Sequence, residues 1–532
     1  MIQKPYLPNW VYWTAIHKVA LCLVVVFASG LSGQDDQSDS LSASQSDADR
    51  FLKAMESKVE QVIDKSARSV VAIARVERQS NQRQQAFQFQ LGFPNTIPRI
   101  VSPEDPDFVP SGFGTGLVWD SDGTIVTAYH VLDDPRKNDY FVWYMDRPYP
   151  AKVIATPAEV RAGDPYSDLA VLKINAVGIP PMEFAEPAEL TKGQLVVHLG
   201  NPYAIARDGK VSATWGLISN LKRPVTADLQ AAKDASLEKG SLHHYGTLIE
   251  TDAQLELGSS GGALINLDGK CIGMTVSYAA IDGYERQGGF AIPIDDSFRR
   301  VVDTLKQGKQ PTFGFLGIQP ENLLASDRSR GVLGARVSAV VRGMPGDLAG
   351  LREGDIVSEV NGVLIENRDG LFRELSRHHP ESQIALTVLR RTNVGNRIDT
   401  LKLNAKLSKK FIATNRPAYS SESESLWRGL QVEYATALPS EMLRFSSRGI
   451  LNATTSPLAV LNVEPNTQAW NAGIRPGYSI IEVDGRVISN PDDFSQYVRS
   501  RESQVVRLKI IGYGDQAEEV EIPAERIVVP LP

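Results

Sequence analysis

Cysteine is nearly absent from this chain: two occur in 532 residues, Cys22 and Cys271. Cys22 falls in a leader-like N-terminus, so a processed chain keeps one thiol, and one thiol excludes an internal disulfide. Cys271 lies in the apolar stretch GKCIGMTV and reads as a small core residue. A basic surplus is also lacking. Lys and Arg number 56 against 63 Asp and Glu, for a net charge of −7, and the pI is about 5.7. That balance argues against a nucleic-acid partner. There is no Gly-rich loop ending in Lys-Ser/Thr, no His-Glu-x-x-His and no Cys-x-x-Cys. Nothing therefore indicates ATP, a metal or another cofactor. Apolar runs are short. VALCLVVVFASGL, residues 19–31, is too short for a comfortable membrane span but suits the apolar core of a signal peptide.

What is present divides the chain into segments. Lys4, His17 and Lys18 precede that run, and Ala28, Ser29, Gly30, Ser32 and Gly33 follow it. Residues 1–33 are expected to be a signal peptide, with an uncleaved anchor as the alternative. Export without disulfides suits the periplasm or extracytoplasmic envelope of a bacterium. Residues 34–50 are polar, acidic and Ser-rich, the composition of a disordered linker. FLKAMESKVEQVIDKSA then has helical spacing. From Val70 to about Arg300, short β-runs alternate with Gly, Pro and Asp, which predicts a barrel or sandwich. Two long stretches, 80–113 and 226–246, interrupt that rhythm.

The C-terminal half repeats itself. AGLREGDIVSEVNGVLIENRD (349–369) matches AGIRPGYSIIEVDGRVISNPD (472–492) at ten of 21 positions. The offset of 123 residues makes this a duplicated domain. The expected boundaries are 51–308 for the β-rich domain, 313–408 and 427–526 for the copies, and a polar linker at 409–426.

One stretch reads as chemistry. In TDAQLELGSSGGALIN (251–266), Ser259 and Ser260 lie among glycines. A serine needs a base, and only seven histidines are available: His17, His130, His198, His243, His244, His378 and His379. His17 is in the leader. His378 and His379 read as a surface turn, and His243 and His244 as solvated members of a polar insertion. His130 and His198 both sit at the ends of apolar strands, and composition does not separate them. Asp168, just before LAVLKI, could orient either ring. With His130, the order His, Asp, Ser is that of the chymotrypsin-type enzymes.

GTIVTAYHV, SDLAVLKI, LGNP, GSSGGALIN and GGFAIPI, in that order, resemble the HtrA/Deg (DegP/DegQ-like) family of extracytoplasmic serine proteases. FLGIQ and the repeat resemble that family's PDZ domains. The resemblance implies a mainly β fold, with a chymotrypsin-like double β-barrel followed by two PDZ domains. It selects Ser260 as nucleophile, His130 as base and Asp168 as orienter, and it assigns the oxyanion hole to Gly258, Ser259 and Ser260. It implies peptide capture by Phe315, Leu316, Gly317 and Ile318, and more weakly by Gly429, Leu430, Gln431 and Val432. Ile205 and Ala279 would border the specificity pocket. The implied partners are unfolded polypeptides and peptide C-termini, in a homo-oligomer built from trimers. Ser259 and Tyr129 depart from the family, which has Asn at both positions. Tyr129 would alter the opening of the cleft. The implied activity is ATP-independent endoproteolysis in protein quality control. Two alternatives are a non-cleaving chaperone or PDZ scaffold and a stress sensor that cuts one partner.

Overall fold

A computed structural model describes residues 37–78, 108–146, 152–201, 211–224, 241–277 and 289–524, except for a few short internal gaps. The signal-peptide segment, most of the 80–113 stretch and residues 225–240 lie outside the described residues, as do Ile205 and Ala279. No helix among the described residues is long and apolar enough to cross a membrane.

The expected linker at 34–50 is corrected by helix α1, which spans Gln37–Ser66. From Gln34 to Ser66 there is neither Gly nor Pro. A helix nucleated in FLKAMESKVEQV therefore meets no breaker as it propagates toward the N-terminus.

Twelve strands form two closed barrels. The first has β1 (Val70–Glu77), β2 (Gly112–Val118), β3 (Thr124–Ala128), β4 (Asn138–Asp146), β5 (Lys152–Asp164) and β6 (Leu169–Ile174). They run in the order β5-β4-β1-β2-β3-β6, and β5 also pairs with β6. The second has β7 (Leu195–Gly200), β8 (Ser212–Arg223), β9 (Leu248–Thr251), β10 (Ala263–Asn266), β11 (Cys271–Val276) and β12 (Gly289–Pro293). Closure removes most of the free edge, and the part of β5 beyond Ala158, which β4 does not reach, keeps one side open. β3 and β11 are buried throughout, as expected of apolar strands covered on both faces. Cys271 is a buried free thiol in that core. Within the first barrel's β3–α2 corner, the four-residue helix α2 (Tyr129–Leu132) follows β3 directly. Helix α3 (Asp296–Lys306) closes the domain, capped by Asp295.

The two copies repeat one plan. The first contains β13 (Gly314–Phe315), β14 (Ile318–Asn322), β15 (Ala335–Val340), β16 (Ile356–Val360), β17 (Val363–Leu364), helix α4 (Arg368–Ser376), β18 (Gln383–Arg391), β19 (Ile398–Lys406) and β20 (Ser408–Lys409). Its main sheet runs β14-β15-β16-β18-β19, with β14 at one edge. After β21 (Tyr419–Ser420), the second copy contains β22 (Leu430–Tyr434), the hairpin β23 (Phe445–Ser446) and β24 (Gly449–Ile450), then β25 (Leu458–Val463), β26 (Ser479–Val483), helix α5 (Pro491–Arg499), β27 (Val506–Ile511) and β28 (Ala517–Ile522). Its sheet runs β22-β25-β26-β27-β28. Each copy has its own apolar core. Each long helix starts at an Asn whose side chain accepts the N–H three residues on: Asn367 from Gly370 at 2.8 Å and Asn490 from Asp493 at 2.7 Å. Such caps satisfy amides that the helix cannot.

The expected linker at 409–426 is also corrected. β20 pairs with β13, and β21 adds to the first barrel, with Tyr419 opposite Gly163 and Ser420 opposite Ala162. Gln310 Nε2 donates to Tyr419 O at 2.6 Å. Lys410 Nζ donates to the Tyr166 hydroxyl at 2.9 Å and lies 5.3 Å from the Tyr245 ring and 5.8 Å from the Phe372 ring. The segment is a strap held by a cation among aromatic rings.

Candidate active site

β3 and β6 pair so that Ala128 faces Leu169. That register places the residues just beyond the two strand ends, His130 and Asp168, side by side. The Asp168 carboxylate makes two bonds to the same residue. Oδ1 accepts the His130 backbone N–H at 2.9 Å, and Oδ2 lies 2.7 Å from Nδ1. Tyr129 N–H donates to Asp168 O at 2.9 Å. Asp168 holds a left-handed backbone, φ 55°, which a β-branched or bulky residue would resist. Its side chain is 8% exposed and that of His130 is 12% exposed. Burial opposes ionisation of Asp168. The positive potential and hydrogen bonds of His130, with help from His243, outweigh it and hold the carboxyl below the usual range. An ionised acceptor fixes the proton of His130 on Nδ1.

Ser260 sits in the turn before β10, and Thr115 of β2 ties that turn to the first barrel. Thr115 N–H donates to Ser260 O at 2.9 Å, its hydroxyl donates to Gly258 O at 2.7 Å, and Asn201 N–H donates to that hydroxyl at 2.8 Å. Thr127, three residues before His130, donates to Thr115 O at 2.6 Å. The serine turn is thus tied through Thr115 to β3, the strand that ends two residues before His130. Gly261 has φ 87°, and a Cβ there would lie 1.9 Å from Thr115 O, so no other residue fits. Ser260 Oγ accepts Ser277 N–H at 3.0 Å. Among the described residues no backbone acceptor takes up the N–H of Gly258 or Ser260. Ser259 differs. Its N–H donates to Glu256 O at 3.0 Å, its Oγ accepts Glu256 N–H at 3.1 Å, and its carbonyl accepts the Thr275 hydroxyl at 2.7 Å. Its polar groups build the turn.

The other histidines separate clearly. His198 is buried, and burial pushes its pKa down to about 3. Its Nε2 has no hydrogen-bond partner among the described residues. His378 lies in the expected turn. The expectation for His243 is corrected. It is 1% exposed, in the 3-10 turn Leu242–Tyr245, while His244 is half-buried. Leu242, Tyr245, Leu248 and Ile249 are buried around it and carry it inward. Tyr129 is also corrected. Its ring is 1% exposed, lies against Gly163 and donates its hydroxyl to Pro417 O of the strap, so it is core and does not line the cleft. Thr115 and His243 escaped the sequence reading. The one available signal was a Thr between glycines in a strand, the other the apolar residues that flank a His pair.

A cavity of about 650 Å³ lies beside the Asp168 turn, with Ser167, Leu169, His243, Ile292 and, from α4, Arg373 among its walls.

In the first copy, Gly317 (φ 74°) immediately precedes edge strand β14, and Phe315–Ile318 runs from the end of β13 through Leu316 and Gly317 into the first residue of β14. In the second copy, Gly429 (φ 82°) immediately precedes β22. The matching turn is therefore Trp427-Arg428-Gly429-Leu430, two residues earlier than the expected Gly429–Val432.

The barrels and their junction define a class, the trypsin-like serine endoproteases, here with a PDZ tail. The model of a trypsin-like peptidase domain matches residues 114–274, and that of a PDZ domain matches 336–390 and 460–512. A probable periplasmic serine endoprotease DegP-like from Chlamydia muridarum is 30% identical over 403 residues, covering 75% of this chain and 72% of that protein. A protein of the same description from Hahella chejuensis is 30% identical over 400 residues, covering 72% of this chain and 74% of that one. The solved structure of the HtrA-type protease AlgW with tripeptide aligns at 22% identity with a TM-score of 0.45, over 66% of this chain and 96% of that one. The chain belongs to the HtrA/DegP-like family of serine endoproteases.

Proposed function

We propose that the chain hydrolyses peptide bonds of unfolded or misfolded envelope polypeptides, without ATP, through Ser260, His130 and Asp168. The observation that carries this reading is the Asp168 carboxylate bonded twice to His130. With Nδ1 committed to Asp168, Nε2 is the ring atom that serves as base. It takes the Ser260 proton as Oγ attacks the scissile carbonyl. The imidazolium then protonates the departing amine as the C–N bond breaks. Water, deprotonated by the same ring, releases the acyl group. The N–H groups of Gly258 and Ser260 receive the oxyanion, each such donor contributing about 3 kcal/mol. Ser259 shapes their turn. The periplasmic naming of relatives supports action outside the cytoplasm. The first PDZ copy captures a peptide C-terminus as an added strand on the open edge of β14.

The test is cleavage of an unfolded model protein by the full chain, beside Ser260→Ala and Ser259→Ala. Ser260→Ala is expected to lower the rate by about 10⁴-fold or more, and Ser259→Ala to retain much of it. Suppose instead that the intact chain cleaves nothing, even with C-terminal peptides present, yet suppresses aggregation as well as Ser260→Ala does. The chaperone reading then replaces this one.

A further inference from the structure

We propose that His243 is a positioning residue for Asp168, holding the turn that aims its carboxylate at His130. The inference rests on the protease reading above.

Asp168 ends a turn held by its own Asp164 and by the segment that carries His243. The Asp164 carboxylate accepts Tyr166 N–H at 3.1 Å, Ser167 N–H at 3.0 Å and the Ser167 hydroxyl at 2.6 Å. Leu242 N–H donates to Tyr166 O at 2.8 Å. His243 completes the set, with Nε2 2.9 Å from Ser167 O, the carbonyl of the peptide that leads into Asp168. A carbonyl only accepts, so Nε2 carries the proton. Nδ1 is then an acceptor, and Thr247 Oγ1, 2.7 Å away, donates to it. The ring is neutral at pH 7, because burial pushes its pKa down to about 4. A neutral imidazole makes one donation and one acceptance, and both are used here. The ionisable groups that act on it are Asp168, His244 and His130.

The consequence is geometric. Asp168 holds an uncommon φ of 55°, and its side chain must reach two atoms of His130 at once. Rotation of the Ser167–Asp168 peptide would swing the carboxylate off both. Among the described residues, the bond from His243 to the Ser167 carbonyl opposes that rotation from the oxygen side. His243 touches neither substrate nor the reacting atoms, so its effect passes through Asp168.

The experiment compares His243→Phe, which keeps a ring and removes the donor, with His243→Gln, whose amide can donate to Ser167 O and accept from Thr247. The adjoining cavity leaves room for either side chain. Steady-state hydrolysis of a peptide substrate by the full chain is expected to show kcat lowered by roughly 100-fold in His243→Phe, with KM unchanged. The acid limb of the kcat profile should move to lower pH, because His130 loses part of its carboxylate partner. His243→Gln should recover most of kcat. Thr247→Val, which removes the tautomer lock, should act in the same direction but less. A role in folding alone would lower the melting temperature without moving the acid limb. His243→Phe with wild-type kcat and acid limb overturns the inference. If His243→Phe fails to fold, Thr247→Val with an unchanged profile overturns it instead. A wild-type chain that hydrolyses nothing overturns the protease reading first, and the inference with it.

Discussion

The two PDZ copies share strand order and helix caps, yet they treat the loop before the edge strand in opposite ways. In the first, Leu316 is 2% exposed and packs into the apolar core. In the second, the same position is Arg428, 4% exposed. Its guanidinium donates to Ile522 O, Arg501 O, Glu502 O and Gln504 O at 2.7–3.0 Å. The second loop also closes on itself. Trp427 N–H donates to Leu430 O at 3.0 Å, and Leu430 N–H donates to Trp427 O at 2.8 Å. A second substitution follows the repeat. Asp355 is 1% exposed and pairs with Arg390 through two bonds of 2.7 and 2.8 Å. Its counterpart Tyr478 lays its ring over Gly512. Duplication kept the scaffold and changed the loop: in the first copy it packs Leu316 into the core, and in the second it is a structural staple.

The largest expected difference is in acid. Burial pushes His198 to about 3 and His243 to about 4, whereas the second copy contains no histidine. The unfolded imidazoles bind protons below about pH 6.5, and the folded ones do not until about pH 4 or lower. The unfolded state therefore holds more protons in that window, and protease-domain stability falls as pH drops from 6.5 to 4. The loss is on the order of 5 kcal/mol for the two groups. Calorimetry should show the barrel transition moving down across this range while that of the second copy stays. Equal movement of both would break the comparison.

Arg428→Met comes next. It leaves the buried Ile522 carbonyl and three part-buried carbonyls without their donor and should destabilise the second copy by about 4 kcal/mol, read from its thermal transition, with the first copy unmoved. Arg390→Met strands the buried Asp355 and should cost the first copy about 3 kcal/mol without effect on the second. The smallest effect is in binding. A peptide with an apolar C-terminus, titrated into the full chain, should fill one site per chain, and amidating its carboxylate should weaken binding by about tenfold, near 1.4 kcal/mol. Two equivalent sites would contradict the staple.

Much of this was legible in the sequence. The repeat carried the PDZ duplication. Strand ends and a glycine turn marked Asp168, the pair His130 and His198, and the pair Ser259 and Ser260; the choice of His130 and Ser260 within those pairs came from the family resemblance. What was not legible depends on contacts between distant segments. Polarity made 34–50 and 409–426 read as linkers. One propagates a helix for want of a breaker, and the other pairs with a barrel strand far away in the sequence, Tyr419 with Gly163. His243 looked solvated because a polar stretch precedes it. Its burial follows from Leu242 and Tyr245 packing inward. The loop of the second copy was displaced by two residues because a buried arginine hides the likeness to Leu316.

The most direct measurement is to react the folded full chain with a fluorophosphonate and locate the adduct by mass spectrometry of its peptides. An activated serine is phosphonylated, whereas unactivated serines are inert. The account predicts one adduct, on Ser260, absent from Ser260→Ala and strongly reduced in His130→Ala. An adduct on Ser259, or proteolysis that persists with Ser260 unlabelled, would contradict it.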